Sequence, residues 1–409
     1  MRKADSEVRL AITGMGIICS IGRNQQEVWE SITASRAGIG PMARFAGETF
    51  PTNLAAEAEA DLYALIGGPR PALRRLSRTD LLALVAAREA IGQAAGEGSL
   101  PPATIVSSGS STGGLLEGED YYFKRMIRGA ARTAPSSVLQ QPTSSPSDAI
   151  ARHFRLEGGV FSNATACASA GAAIGMAADM IRSGYADAAV AGGSDALCRL
   201  TYSGFNVLQA VDSEPCSPFG AERKGITLGE GAAYLVIERW GTARERGATI
   251  LAELCGYGAS CDAHHPTAPV EDGSGASQAM ASAMTDRAGG SARIDYVNAH
   301  GTGTPLNDSA ETRAIVTTLG TSVPTSSTKS FFGHTLGASG ALEAVVTVLA
   351  LQHQIAPPTL RLDQPGEDCC LDYIPHTPRA MLIEQALSNT FGFGGSNVSL
   401  LFREANGAK

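Results

Sequence analysis

Cys167 stands in the run Ser162-Asn163-Ala164-Thr165-Ala166-Cys167-Ala168-Ser169-Ala170-Gly171, with small residues on both sides and a helical pattern after it. Such a run makes a sharp strand-to-helix turn that presents a thiol. A thiol reacts as its thiolate, and the unpaired N–H groups and dipole of a helix start favour negative charge. Cys167 is therefore expected to have a lowered pKa, to accept acyl groups, and to lie beside backbone N–H donors suited to a tetrahedral oxyanion. The same run also fits a buried helix start that uses Cys as a small apolar residue. Taken alone, Cys167 leaves both readings open.

Two later segments bear on the choice. His300 stands in Asn298-Ala299-His300-Gly301-Thr302-Gly303-Thr304-Pro305, and His334 closes Lys329-Ser330-Phe331-Phe332-Gly333-His334. Gly301 and Gly303 let the backbone pass close to a ligand, and Thr302 and Thr304 offer hydroxyls to a carboxylate. Lys329 and Glu343 flank His334 in sequence and can hold an imidazole in one tautomer. Asp308 opens the next helix and reads as a cap or loop brace. A lone His is ordinarily a hydrogen-bonded structural residue. One Cys and two His, each in a Gly-rich or small-residue loop, together point to a covalent thiol enzyme with two imidazoles at its centre. The doublet His264-His265 has no ligand spacing around it and reads as surface loop.

These groups need rigid carriers. Apolar patterning predicts strands over 9–18, 103–107, 159–163 and 186–192, the last closed by Gly-Gly, with helices over 25–34, 77–95, 145–154 and 167–183. It then predicts strands over 250–259, 294–298, 324–328, 386–390 and 398–402, with helices over 273–285, 307–319 and 336–352. Strand, small-residue turn, helix and buried strand around Cys167 form the βαβ pattern of a covered sheet, an α/β class. The reading divides the chain at 249/250. Residues 1–249 then carry the nucleophile and 250–409 carry both His. Identity between the halves is too weak to demonstrate a repeat.

Composition narrows the partners. A net charge of -8 without a long basic run argues against nucleic acid. The most apolar stretches, such as 341–351, are too short to span a bilayer, and no signal-peptide pattern opens the chain. The expectation is a cytoplasmic protein with no membrane span. Its eight cysteines are scattered, which fits reduced thiols better than disulfides. The lack of a CxxC pair makes a structural zinc site an improbable reading.

The chain resembles the elongating, decarboxylating β-ketoacyl-acyl carrier protein synthases. Matching residues run from Ile12-Thr13-Gly14-Met15-Gly16 to Asn389-Thr390-Phe391-Gly392-Phe393-Gly394-Gly395-Ser396-Asn397, and the Cys-His-His set falls in the expected loops and order. The resemblance implies a thiolase-like fold, with two similar α/β halves in a layered αβαβα arrangement, and a dimer. It implies that Cys167 accepts the acyl group. It further implies that His300 and His334 assist decarboxylation of a malonyl carrier and stabilise the enolate, and that Lys329 and Glu343 are their supporting ion pair. Thr302 and Thr304 match malonyl-contacting hydroxyls. Phe391 matches an aromatic gate whose N–H joins that of Cys167 in the oxyanion hole, and Phe393 is a further substrate-binding residue. Such chemistry needs no metal and no redox cofactor.

Two departures bear on substrate. Phe331-Phe332 replaces the smaller residues usual in housekeeping fatty-acid enzymes, and Asp195-Ala196-Leu197-Cys198-Arg199-Leu200-Thr201 is closer to synthases of polyene and related type II polyketide clusters. The expected substrates are an acyl carrier protein and a malonyl-carrier protein, with Arg70, Arg74, Arg75 and Arg78 as the basic docking surface for an acidic carrier. The expected dimer is a homodimer or a heterodimer with a chain-length-factor homologue. Housekeeping fatty-acid elongation is the alternative. A thiolase would carry a second Cys near residues 391–397, where there is none, and a non-catalytic chain-length partner would lack the nucleophile.

Overall fold

Leu10–Ile18 forms β1, and all nine of its residues are buried. Burial on both faces suits a run without polar alternation, and it fixes this strand at the centre of the molecule. The computed structural model describes residues 8–69, 73–96, 100–129, 135–286 and 293–405. The other strands of the main sheet are β2 (Ile105–Gly109), β3 (Val160–Asn163), β4 (Ala188–Asp195), β5 (Gly231–Arg239), β6 (Ala252–Cys261), β7 (Tyr296–Asn298), β8 (Thr325–Ser326), β9 (Gln385–Gly392) and β10 (Ser396–Glu404).

The sheet order is β8-β7-β9-β10-β6-β1-β5-β4-β2-β3. Read outward from its centre, this is one topology written twice. In each half the first strand pairs antiparallel with the fifth, and the fifth antiparallel with the fourth. The fourth pairs parallel with the second, and the second parallel with the third. Within the sheet the halves pair through Ala11↔Glu253 and Ile12↔Ala252.

Helices cover the strands in the same repeated way. The principal ones are α1 (Arg78–Ala95), α2 (Leu115–Arg128), α3 (Ser169–Arg182), α4 (Arg199–Val207), α5 (Ser274–Thr285), α6 (Pro305–Leu319) and α7 (Ser339–His353). A capping box fixes the start of α1: Ser77 accepts from the Asp80 N–H and Asp80 from the Ser77 N–H. On β1, a Cβ at Gly14 or Gly16 would collide with the Ala90 or Ala86 carbonyl of α1. On β6, a Cβ at Gly256 or Gly258 would collide with the Ala283 or Ala279 carbonyl of α5. Each outer helix therefore lies directly on strand backbone. The middle layer is α3 and α7, whose apolar faces share one core with residues of both halves, among them Ile12, Leu235, Leu400 and Phe402. The layers thus run α, β, α, β, α.

Several boundaries differ from the sequence reading. The strand expected to close at Gly192 continues to Asp195, because Gly192 and Gly193 pair with Tyr234 and Ala233 of β5. A side chain at either glycine would strike that strand or α3, so the Gly pair marks close packing and not a strand end. The stretch Leu336–His353 is long and apolar enough to cross a bilayer, although the apolar run 341–351 alone is not. Here 89% of it is buried inside the fold as the middle-layer helix and its leading turn.

Candidate functional site

Cys167 follows β3 in a turn of tight geometry. Ala166 has φ 49°, a left-handed conformation that costs an L-residue about 1–2 kcal/mol. Two hydroxyls hold it there: the Ala166 carbonyl accepts from Ser169 Oγ at 2.6 Å and from Ser111 Oγ at 2.9 Å. A single 3-10 turn, Ala166–Ala168, then leads into α3. The second half repeats the device before α7, with Leu336 at φ 54° and a 3-10 turn over Leu336–Ala338. There Gly337 occupies the place that Cys167 has in the first half.

Both His stand beside this turn, with ring centroids 5.3 Å apart and ring planes at 85°. The His300 loop follows β7 and wraps a buried carboxylate that the sequence reading did not single out. Glu311 of α6 accepts the N–H of His300 at 2.8 Å and of Gly301 at 2.7 Å. Asp308 braces the rest of the loop by accepting the N–H of Thr302 at 3.0 Å and of Gly303 at 3.2 Å. Thr302 and Thr304 are linked through their hydroxyls at 2.9 Å. Gly301 is required here, since a Cβ would come within 2.5 Å of Ser327 Cβ.

The hydrogen bonds decide which imidazole nitrogen carries the proton. Lys329 Nζ lies 3.2 Å from His300 Nδ1 and pairs on its other side with Glu343. An ammonium only donates, so Nδ1 of His300 is the acceptor and Nε2 carries the hydrogen. His334 Nδ1 accepts the Leu336 N–H at 3.2 Å and lies 2.9 Å from Ser339 Oγ, which assigns its hydrogen to Nε2 as well. Burial, followed by the charge of Lys329, holds both imidazoles well below the ordinary histidine range. They are neutral N–H donors at physiological pH. Burial also pushes the Glu343 carboxyl up to about 7 against the pull of Lys329, and Glu311 up to about 7 against its two backbone donors.

The thiol departs from expectation. Burial pushes Cys167 up to about 11, with Lys329 and the Phe393 N–H acting in the other direction. Burial is the largest influence on this thiol, and its direction is opposite to the one the helix start would give. The donor contributed by the 391–397 loop also differs. It is the N–H of Phe393, not that of Phe391, that acts on the Cys167 sulfur, in the direction that favours its thiolate. Phe391 is buried with its ring 5.7 Å from His300. Phe393 is 36% exposed and stacks on Phe205 of α4 at 5.6 Å. Of the two rings, Phe393 is the solvent-facing one.

One cavity of about 400 Å³ brings Cys167, His300, His334, Thr302, Thr304, Phe391 and Phe393 together. Lys329 and Glu343 stand behind it, fully buried. Exposed Lys224 and His265 sit on its rim, so the His264-His265 loop reaches the site. Phe331 and Phe332 do not reach it: both are fully buried in the middle-layer core and neither lines the cavity. Of the four docking arginines, Arg74 and Arg75 are exposed. Arg78 is held by Glu230 at 2.5 and 2.9 Å and by the Ala58 carbonyl, which removes it from a docking surface. Arg70 lies outside the described residues.

Comparison with known proteins gives a consistent result. Family models described as beta-ketoacyl synthase, N-terminal domain, and beta-ketoacyl synthase, C-terminal domain, match residues 7–243 and 251–363. A 3-oxoacyl-[acyl-carrier-protein] synthase 2 from Synechocystis sp. is 37% identical over 409 residues, covering 97% of this chain and 98% of the relative. The ishigamide ketosynthase/chain length factor superposes with a TM-score of 0.92 at 34% identity, covering 97% of this chain and 99% of the other. A type II PKS acyl-carrier protein in complex with its ketosynthase bound to the hexaketide, AntDE:AntF, contains a chain that superposes with a TM-score of 0.88 at 27% identity. That match covers 97% of this chain and 99% of the other.

Proposed function

The chain belongs to the beta-ketoacyl synthase family and is an acyltransferase of the ketosynthase type, and from that premise we propose that it performs decarboxylative condensation in type II polyketide synthesis. The reading is carried by one observation: a buried thiol, two Nε2–H imidazoles and the Phe393 N–H converge on a single cavity. In the first step Cys167 sulfur attacks the thioester of an acyl carrier. The Cys167 and Phe393 N–H groups stabilise the oxyanion, and the thiol proton leaves with the carrier thiolate. In the second step the malonyl thioester carbonyl accepts from His300 and His334. Carbon dioxide departs, and its bonding pair stays as the enolate. The enolate carbon then attacks the Cys167 thioester and expels the Cys167 thiolate, which regains a proton from solvent. Mass spectrometry of carrier-bound products, made from acyl carrier and malonyl carrier, tests the whole reading. Absence of both a β-ketoacyl carrier and an acylated Cys167 would reject it.

The choice of polyketide over fatty-acid elongation rests on the cavity wall and on the likeness to the two polyketide ketosynthase structures. Phe205 and Phe393 present a stacked aromatic wall beside the nucleophile. Flat walls favour rigid conjugated chains, which lose little rotamer freedom on binding. In competition between matched dienoyl and saturated acyl carriers, the dienoyl chain is expected to be elongated faster. Equal or better turnover of the saturated chain, alone and with any co-encoded homologue, would return the protein to ordinary fatty-acid elongation.

Its assembly is a closed dimer with a second copy or a chain-length-factor homologue. The edge strand β3 and the face of α2 bearing Tyr122, Phe123, Met126 and Ile127, 55–85% exposed, are the surfaces such a partner would cover. The acyl carrier docks on a basic patch that includes Arg74 and Arg75. Reversal of both charges is expected to raise KM for the carrier severalfold, more at low salt than at high salt, with kcat unchanged. An unchanged KM at low salt would leave these arginines as solvated side chains.

A further inference from the structure

Asp195 ends β4 with no solvent exposure and takes no part in the chemistry described above. Five donors surround its carboxylate. Oδ1 accepts from Ser110 Oγ at 2.6 Å, Ser111 N at 3.0 Å, Thr112 N at 2.9 Å and Thr112 Oγ1 at 2.8 Å. Oδ2 accepts from Ser111 N at 2.9 Å and from Gly337 N at 2.7 Å. The first four donors belong to the loop after β2 in the first half. The last belongs to the turn before α7 in the second half.

Each end of this bridge is one bond from a reacting group. On one side, Ser111 Oγ holds the left-handed Ala166, the residue before Cys167. On the other, the N–H of Leu336, next to Gly337, fixes Nδ1 of His334 as an acceptor. The fit is tight: a Cβ at Gly337 would come within 2.6 Å of Ser111 Oγ and 2.7 Å of Asp195 Oδ2. The two halves also join at His334, whose N–H donates to the Thr227 carbonyl at 2.7 Å and whose carbonyl accepts from the Gly229 N–H at 2.9 Å, but these bonds hold its backbone and not the turn that follows it. We propose that Asp195 is the positioning residue that fixes His334 relative to Cys167 across the two halves of the fold. The proposal builds on the condensing activity argued above, and it adds that one carboxylate links the cysteine turn to the histidine turn.

The asymmetry of the five donors gives a directional test. In Asp195→Asn the single carbonyl oxygen stays with the four donors at Oδ1, and the amide NH2 turns toward the Gly337 N–H, where two donors repel. The His334 side should fail while the Cys167 side holds. A displacement of about 1 Å in a reacting group costs about 100-fold in rate, so decarboxylation of malonyl carrier should fall about 100-fold. Loading of Cys167 from acyl carrier should stay within about threefold of wild type, since its own contacts are intact. Gly337→Ala places a Cβ against both Ser111 Oγ and Asp195 Oδ2 and should slow both half-reactions. Ser111→Ala should invert the pattern of Asp195→Asn, slowing loading more than decarboxylation.

Selective 15N-histidine spectra of the full chain give a readout that needs no substrate. His334 should be a single Nε2–H tautomer in wild type and a mixture in Asp195→Asn. Melting temperatures of all variants identify any that fail to fold, in which case Asp195→Asn or Ser111→Ala carries the test alone. In Asp195→Asn, equal losses in both half-reactions, or no loss, with an unchanged His334 spectrum would overturn the proposal. If wild type neither loads nor decarboxylates while the spectrum changes as described, the assigned activity fails and the positioning role stands.

Discussion

Cys167→Ala is expected to abolish condensation and to leave no cysteine in the protein that carries an acyl group. None of the seven other thiols lines the catalytic cavity, and only Cys261 and Cys370 among them are exposed. Cys19, Cys198 and Cys369 are buried and pushed up to about 12, chiefly by burial, and none lines the catalytic cavity. Removing the nucleophile removes the covalent station on which the enolate closes, and no positioned group substitutes for it. Intact-mass measurement after incubation with acyl carrier should show one adduct in wild type and none in the variant. A surviving adduct would sink the assignment. The high pKa adds a second signature. With the thiol near 11, the rate of alkylation of Cys167 by iodoacetamide should still be climbing at pH 10, where a thiol of ordinary pKa has levelled off. A plateau near neutrality would mean that the helix start had won over burial.

The second large effect concerns the two imidazoles. His300→Ala or His334→Ala should lower the decarboxylation of malonyl carrier by about two to three powers of ten, the usual loss for one preorganised donor at a developing oxyanion. Acyl loading should change far less, because the Cys167 and Phe393 N–H groups that serve that step are untouched. The pH dependence carries its own sign. Both imidazoles are held well below the ordinary range by burial and by Lys329, so their donor form needs no deprotonation near neutrality. Decarboxylation should therefore show no acid limb between pH 6 and 8 that arises from either His. A variant that decarboxylates normally while losing only acyl transfer would reverse the roles assigned here. A limb near pH 6.5 that disappears in His334→Ala would reverse the assignment of His334 as a neutral donor.

Local patterning made much of this legible. The helix over 77–95, the helix over 145–154 and the strands around β3 and β9 lie within a few residues of the sequence reading, because each is fixed by contacts close in the chain, such as the Ser77–Asp80 capping box. Elements fixed by distant partners were missed. β5 was not singled out, although it pairs with both β1 and β4. α2 and α4 were missed as well. α2 leaves Tyr122, Phe123, Met126 and Ile127 exposed, so its apolar residues do not mark a buried stripe within this chain.

The reactive residues and their kind of chemistry were set by the sequence itself. A thiol and two imidazoles in Gly-rich or small-residue loops carry their meaning in their types and their order. Tertiary structure alone decided how they act. It brought residues 167, 300, 334 and 393 to one cavity, and it made Phe393 rather than Phe391 the donor at sulfur. It placed Phe331 and Phe332 in the core and Arg78 in an ion pair. It also exposed the duplication, since two halves with little shared sequence follow the same strand order. The physical reason is common to all of these. Protonation state, tautomer and burial depend on groups contributed from far along the chain, such as Lys329 on His300, Leu336 on His334 and Asp195 between the halves. Periodicity and spacing hold no information about those neighbours until the sheet and its two middle-layer helices have assembled.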